Sequence, residues 1–150
     1  MGLARESVAL DLTPEQAFDL WTDLDRWPSF IDGFARLNRP DENWPHPGAR
    51  ITWESIRGGR GTVTEKVTQS IPGAVFATQV LEEALIGTQT IRFEQEEGGT
   101  FAELDLDYEL TKSGRLGRIT DFLFIRRAQS DALQRTLRRF AIEAADQASL

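Results

Sequence analysis

Residues 113–145 read SGRLGRITDFLFIRRAQSDALQRTLRRFAIEAA and form the one stretch of this 150-residue chain with the length and periodicity of a major helix. At 3.6 residues per turn, its apolar side chains fall on one stripe and several arginines fall on the other side. A helix of this kind buries its stripe against another layer of structure, and the rest of the chain offers mainly alternating strands. We therefore expect a long C-terminal helix packed on a sheet. The stripe consists of Ile119, Phe122, Leu123, Leu133, Leu137, Phe140, Ala141 and Ala144.

Polar residues interrupt the middle of this stripe. Between Leu123 and Leu133, the positions with inward spacing are Arg126 and Ser130, with Gln129 at the edge. Burying a guanidinium without partners costs on the order of several kcal/mol. One interpretation is a kink, or an Arg126 side chain that extends its charged head to solvent. The other is a helix whose middle faces a cavity that holds water, a ligand or a carboxylate.

The residues before this helix predict a strand, two short helices and a meander of about six strands. Residues 7–12 alternate as a strand, and Thr13, Pro14 and Gln16 then have the spacing of a capping box that starts a helix. Residues 27–31 indicate a second short helix. The later strands are expected at residues 34–39, 49–57, 61–71, 74–81, 85–95 and 100–110. This order predicts an α+β fold in which an antiparallel sheet wraps around one helix.

Alternation within the strands identifies side chains that face the helix. In residues 100–110, Tyr108 belongs to the apolar face and the acidic residues belong to the wet face. Trp53 is inward in its strand, and Gln89 and Phe93 share a face in theirs. Glu65 points inward if the register holds, whereas a one-residue slip or a bulge turns it to solvent.

Composition limits the class of protein. A chain of this length fits one domain, residues 1–150. The absence of cysteine excludes disulfides, thiolate metal sites and a cysteine nucleophile, and His46 is the only histidine, so we expect no metal and no cofactor.

Charge and hydropathy limit the location and the partners of the protein. A net charge of −7 argues against a nucleic-acid partner. With no apolar run of membrane-spanning length and no signal peptide, we expect a cytoplasmic protein, and we interpret the basic helix face as solvated rather than as a peripheral membrane contact.

The N-terminal run carries a resemblance to a known family. Thr13-Pro14-Glu15-Gln16-Ala17-Phe18, followed by Asp23-Leu24-Asp25-Arg26-Trp27-Pro28-Ser29-Phe30, resembles the helix, acidic turn and aromatic-proline signature of the START-like or SRPBCC superfamily. The Pro72-Gly73 turn and the late arginine-rich helix also resemble that superfamily, which includes birch pollen allergen relatives and polyketide cyclase/dehydrase-like proteins.

The resemblance implies a helix-grip fold, in which a curved seven-stranded antiparallel sheet grips the long C-terminal helix. It also implies a cavity between sheet and helix for an apolar or aromatic ligand. The metal-binding His and Asp arrangement of the dioxygenase branch is missing from this sequence, so that oxygenase chemistry is excluded.

Two main functions remain open. The first is binding of a hydrophobic small molecule such as a lipid, a quinone or a polyketide-like aromatic, with Arg126 as the polar anchor. The second is a polyketide cyclase or dehydratase, in which Glu65 is the base and Arg126 or Tyr108 stabilises the enolate. The candidate ligand-binding residues are Trp53, Glu65, Gln89, Phe93, Tyr108, Phe122, Arg126 and Ser130.

The alternative is a purely structural role for these residues, with a buried ion pair between Glu65 and Arg126 and with Tyr108 as part of the core. A third function, a protein-interaction module, rests only on the basic face of the helix, at Arg135 and Arg138.

Overall fold

The computed structural model describes residues 2–111 and 118–150, with the backbone alone for residues 118–122. Along these residues run the strands β1 (Gly2–Leu10), β2 (Phe34–Arg39), β3 (Arg50–Ser55), β4 (Thr62–Ile71), β5 (Val75–Leu81), β6 (Leu85–Glu96) and β7 (Gly99–Leu110). The α-helices are α1 (Pro14–Thr22), α2 (Trp27–Phe30) and α3 (Arg118–Ala148), and a 3-10 turn at Leu24–Arg26 joins α1 to α2. The predicted order of elements is confirmed.

The strands form one antiparallel sheet in the order β1-β7-β6-β5-β4-β3-β2. This sheet, with the long helix α3, confirms the expected helix-grip architecture. The prediction for the first strand is wrong at both ends, because β1 runs from Gly2 to Leu10 instead of from residue 7 to residue 12. Its early residues belong to the sheet because Gly2 to Glu6 pair with Tyr108 to Leu104 of β7.

The inner face of the sheet follows the predicted alternation. In β7, Ala102, Leu104, Leu106 and Tyr108 are buried, and Leu110 at the strand end is partly buried. In β3 and β4, Ile51 is opposite Glu65 and Trp53 is opposite Val63, and these side chains are also buried. The bulge in β4 lies between Val67 and Gln69. Because Glu65 precedes that bulge, it stays on the inner face.

The two ends of α3 are held differently. The C-terminal half lies against β1 and α2 and buries Leu133, Leu137, Phe140 and Ala144. The Phe140 ring is central, since its centroid is 5.1 Å from both the Trp21 and the Phe30 rings. Aromatic packing of this kind anchors one end of the helix.

The described side chains of α3 at residues 123–128 do not repeat this packing. Leu123 and Phe124 are 55% and 75% exposed, and Arg126 is exposed as well. The expectation that Leu123 and Arg126 face inward is therefore wrong. The inward line runs instead through half-buried Ile125, buried Gln129 and the buried residues that follow. The predicted polar interruption of the inward line exists, but its buried residue is Gln129 and not Arg126.

Candidate functional site

A groove of about 660 Å³ lies beside the N-terminal half of α3. Four segments form its walls: the connection from α2 to β2 at Asp32 and Gly33, the connection from β3 to β4, the turn from β5 to β6, and α3 between Phe124 and Arg135. Because the α3 side chains at Leu123 and Phe124 are exposed and Ile125 is only half-buried, space between the helix and the sheet stays open beside them.

The outer part of the groove is apolar. Phe124 lies on the helix side, and Ile56, which is 56% exposed, lies on the hairpin side. Ile125, Ala128 and Ala132 continue the apolar helix wall. Exposed apolar side chains around a concave surface are typical of a binding site.

The inner end of the groove is a polar floor. Arg60 Nε donates a hydrogen bond of 2.6 Å to Glu82 Oε2, and Gln129 Nε2 is 3.5 Å from Glu82 Oε1. The Arg60 guanidinium also lies over the Trp53 ring, 5.1 Å from its centroid. Glu82 is buried, so its carboxylate requires these partners.

Behind the floor is a second, almost filled space of about 10 Å³. Trp53, Glu65 and Gln89 line it from the sheet, and Leu133 and Thr136 line it from α3. Its size leaves room for about one water molecule at most. Four residues line both this chamber and the outer groove: Asp32, Arg60, Gln129 and Ala132. They form the partition between the two spaces, and Arg60 and Gln129 belong also to the polar floor.

Glu65 is fully enclosed in the inner chamber. It accepts hydrogen bonds from Trp53 Nε1 at 2.7 Å and from Thr78 Oγ1 at 2.9 Å. Burial raises the pKa of this carboxyl above its ordinary value. The two hydrogen bonds and the charge of Arg60 lower the pKa, but the effect of burial is larger. The charge of Glu82 adds to the upward shift of the pKa. Such a carboxyl can exchange a proton closer to neutral pH than an exposed one.

Tyr108 lies on the same face of the sheet but outside both spaces. Its ring is covered by backbone, because a Cβ on Gly2 would be 2.3 Å from its Cζ atom and one on Gly87 would be 2.9 Å from its Cβ atom. Among the described residues, the buried hydroxyl has no hydrogen-bond partner. Burial raises the pKa of Tyr108, and the charge of Arg126 acts in the opposite direction.

The structure brings together only part of the predicted site. Trp53, Glu65 and Gln89 meet in the inner chamber, whereas Tyr108 is elsewhere and Phe93 packs edge-on against Phe18 at 6.3 Å. Neither space is lined by Arg126 or Ser130. The side chain of Phe122 lies outside the described residues. The cation that acts on Glu65 is Arg60, and the suggested ion pair with Arg126 is not formed.

The basic face of α3 is partly occupied by an ion pair. Arg135 Nε and Nη2 donate to the two carboxylate oxygens of Asp32 at 2.9 and 3.1 Å, and Arg139 adds a contact at 3.3 Å. Asp32 thereby links the connection between α2 and β2 to the middle of α3.

Sequence reasoning missed the three residues of the polar floor, which are Arg60, Glu82 and Gln129. Arg60 lies between the strands expected at residues 49–57 and 61–71, and Glu82 lies between those expected at residues 74–81 and 85–95. Helical spacing predicts Gln129 at the edge of the apolar stripe of the C-terminal helix and not on its inward line. The signal that was present is the charge of two residues at strand ends. Arg60 lies between β3 and β4, whose inner faces carry Trp53 and Glu65, and Glu82 follows β5.

Two further observations concern metal binding and the character of the helices. Within residues 2–111 and 118–150, no group of three or more His, Cys, Asp or Glu side chains is placed to hold a metal ion. Among the helices of that same part of the chain, none has the length and apolar character needed to cross a membrane.

Solved structures share this fold at low sequence identity. A START superfamily protein from Mycobacterium smegmatis has a TM-score of 0.75 at 12% identity, covering 98% of this chain and 99% of that one. A protein from Thermus thermophilus has a TM-score of 0.76 at 17% identity, with coverage of 97% and 98%.

The di-domain ARO/CYC StfQ from the steffimycin biosynthetic pathway has a TM-score of 0.79 at 14% identity. The similarity covers 99% of this chain but 52% of StfQ. No curated protein sequence matches the chain. The family model described as polyketide cyclase / dehydrase and lipid transport matches residues 1–145. The chain therefore belongs to this family.

Proposed function

We propose that the protein binds an apolar small molecule, such as a lipid, a quinone or a polyketide-like aromatic, in the groove beside α3. The groove carries this proposal. Its volume of about 660 Å³ lies in the range of roughly 300–1,000 Å³ that small-molecule sites occupy. Its apolar rim and polar floor match a ligand with an apolar body and one polar end.

The residues of the two spaces act at different depths in this proposal. The ligand body contacts the apolar rim at Ile56 and Phe124, and its polar end reaches the floor. Trp53, Glu65 and Gln89 support the floor from behind, since they line the closed inner chamber. The family description includes lipid transport, which agrees with an apolar ligand.

The test is native mass spectrometry of the gently purified protein, followed by solvent extraction and identification of any released compound. Ala128→Trp places an indole in the groove, because Ala128 lines it from the exposed helix wall. We expect the wild type to carry a reproducible extra mass and Ala128→Trp to lose it. Ala148→Trp is the matched control, since Ala148 is exposed at the far end of α3. An extra mass that persists in Ala128→Trp would place the ligand elsewhere.

A second candidate function, a cyclase or dehydratase, is favoured by the environment of Glu65. A buried carboxyl with a raised pKa is suited to remove a proton next to a ketone carbonyl and return it later. The Glu65 chamber is closed by Arg60 and Gln129, so this function requires the partition to open for substrate.

Glu65→Gln separates catalysis from binding. With a compound identified by extraction as substrate, the enzyme hypothesis expects turnover to fall by about 100-fold or more, while the dissociation constant changes little. Equal turnover in Glu65→Gln and the wild type would leave Glu65 with a structural role only.

A further inference from the structure

Arg60 has hydrogen-bond donors that the folded chain leaves unused. Its Nε is bound to Glu82 at 2.6 Å. Within the described part of the chain, neither terminal nitrogen of Arg60 has a hydrogen-bond acceptor, although the side chain is only 20% exposed. Those nitrogens belong to a residue that lines both the groove and the inner chamber. They are therefore available to a ligand at the inner end of the groove.

The position of this guanidinium is set before any ligand arrives. Glu82 holds one edge, and the Trp53 ring supports one face at 5.1 Å. Trp53 is itself fixed, because its indole nitrogen donates to buried Glu65 at 2.7 Å. A donor held in this way loses little conformational freedom when it binds an acceptor, which favours affinity.

The charges around Arg60 oppose a charged ligand. Arg60 and Glu82 neutralise each other, and Glu65 behind them is biased towards its neutral form by burial. A carboxylate or phosphate placed here would add a negative charge next to buried Glu82, at a cost in desolvation and repulsion. Among the described residues that line the groove, three basic and three acidic side chains cancel: Arg57, Arg60 and Arg135 against Asp32, Glu82 and Glu83.

We propose that the terminal nitrogens of Arg60 bind an uncharged carbonyl oxygen of the ligand, so that the groove selects neutral ketones over carboxylates of the same shape. This inference rests on the proposed function, and it narrows the ligand class by the chemistry of its polar end. Arg60 then takes the anchoring role that the sequence assigned to Arg126, which lies outside the lining of the groove.

The test uses three probes of similar shape: 2-acetylnaphthalene, 2-naphthoate and 2-isopropylnaphthalene, measured by equilibrium dialysis at pH 7.5. We expect the wild type to bind the ketone about tenfold more tightly than the carboxylate. Arg60→Met should weaken ketone binding by about tenfold, the loss typical of a hydrogen bond to a charged group. Binding of 2-isopropylnaphthalene should change by less than about twofold, because it makes no hydrogen bond.

Glu82→Gln provides a gain-of-function test that does not depend on the folding of Arg60→Met. The amide oxygen still accepts from Arg60 Nε, but the neutralising charge is gone. We expect the carboxylate to gain about tenfold relative to the ketone. Arg127→Met is the control, since Arg127 is exposed on α3 outside the groove lining, and it should leave all three affinities within about twofold.

The outcomes distinguish this inference from the proposed function. If 2-isopropylnaphthalene binds but the ketone has no advantage over the carboxylate, or Arg60→Met weakens all probes equally, the inference is wrong and the groove remains a binding site. An unchanged preference in Glu82→Gln would also overturn it. If the wild type binds none of the three probes, the proposed function itself fails, and the inference falls with it.

Discussion

The two halves of α3 contrast in what they contact. The C-terminal half packs Phe140 edge-on against the Trp21 and Phe30 rings and buries it completely. The N-terminal half leaves Phe124 75% exposed above a groove. Two phenylalanines on one helix thus have opposite surroundings. The helix is anchored at one end, and the space left at its other end is available for a ligand.

This contrast separates stability from function along one element. Side chains of the C-terminal half contribute to the free energy of unfolding because they are removed from water. Rim side chains of the N-terminal half contribute little to it, since they are exposed in both states. Three substitutions along α3, and one at Glu65 in the inner chamber beside it, test this division.

Phe140→Ala should be the most damaging substitution on the helix. It removes a fully buried ring that packs edge-on against two aromatic partners, and we expect a loss of about 3–5 kcal/mol in the free energy of unfolding. Urea unfolding followed by circular dichroism measures it. A loss below about 1 kcal/mol would show that the C-terminal half of α3 is not the anchor.

Thr136→Val should have an intermediate effect, because Thr136 lies where the packed half meets the inner chamber. Its hydroxyl accepts a hydrogen bond of 2.9 Å from the backbone N–H of Asp32. Valine keeps the shape but leaves that N–H without its acceptor, at an expected cost of about 1 kcal/mol in the same unfolding experiment. Thr136→Ser retains the hydroxyl and should recover the hydrogen-bond contribution. Equal unfolding free energies for Thr136→Val and the wild type would mean that this bond is replaced by water at no cost.

Glu65→Gln should change how stability depends on pH. Because burial holds the pKa of Glu65 in the folded state above its ordinary value of 4.5, the unfolded chain releases this proton first as pH rises. Wild-type stability therefore falls from about pH 4.5 up to the folded-state pKa, and glutamine removes this contribution. The stability of Glu65→Gln relative to the wild type should rise through that window. Parallel curves from urea unfolding at a series of pH values would show that the pKa of Glu65 is the same in both states.

The fold was predictable because its signals are periodic and local. The alternation in β7 gave the inner face that the structure shows, with Tyr108 buried, and the capping box at Thr13 and Gln16 is formed as expected. The limits of β1 were missed because residues 2–6 gain their strand structure from pairing with β7. That pairing depends on the whole sheet and has no signature in the local sequence.

The candidate site was predictable only in part. Trp53, Glu65 and Gln89 were found because strand alternation places them inward. Arg126 was misplaced because helical spacing gives a periodicity, while the rotation of the helix is set by which residues pack best on the sheet. Arg60 and Glu82 come from strand ends, where periodicity stops. Their pairing at 2.6 Å depends on how two separate turns approach each other.

Phe124→Ala should have the smallest effect on stability and a clear effect on binding. With 75% of Phe124 exposed, its removal should change the free energy of unfolding by less than about 0.5 kcal/mol. Binding of 2-isopropylnaphthalene, measured by equilibrium dialysis, should weaken by about threefold to tenfold, because the ring supplies apolar contact area at the rim. Phe140→Ala is the reciprocal control, since it destabilises the fold from outside the groove. A Phe124→Ala protein with unchanged stability and unchanged binding would remove the rim from the site and leave only the polar floor to hold a ligand.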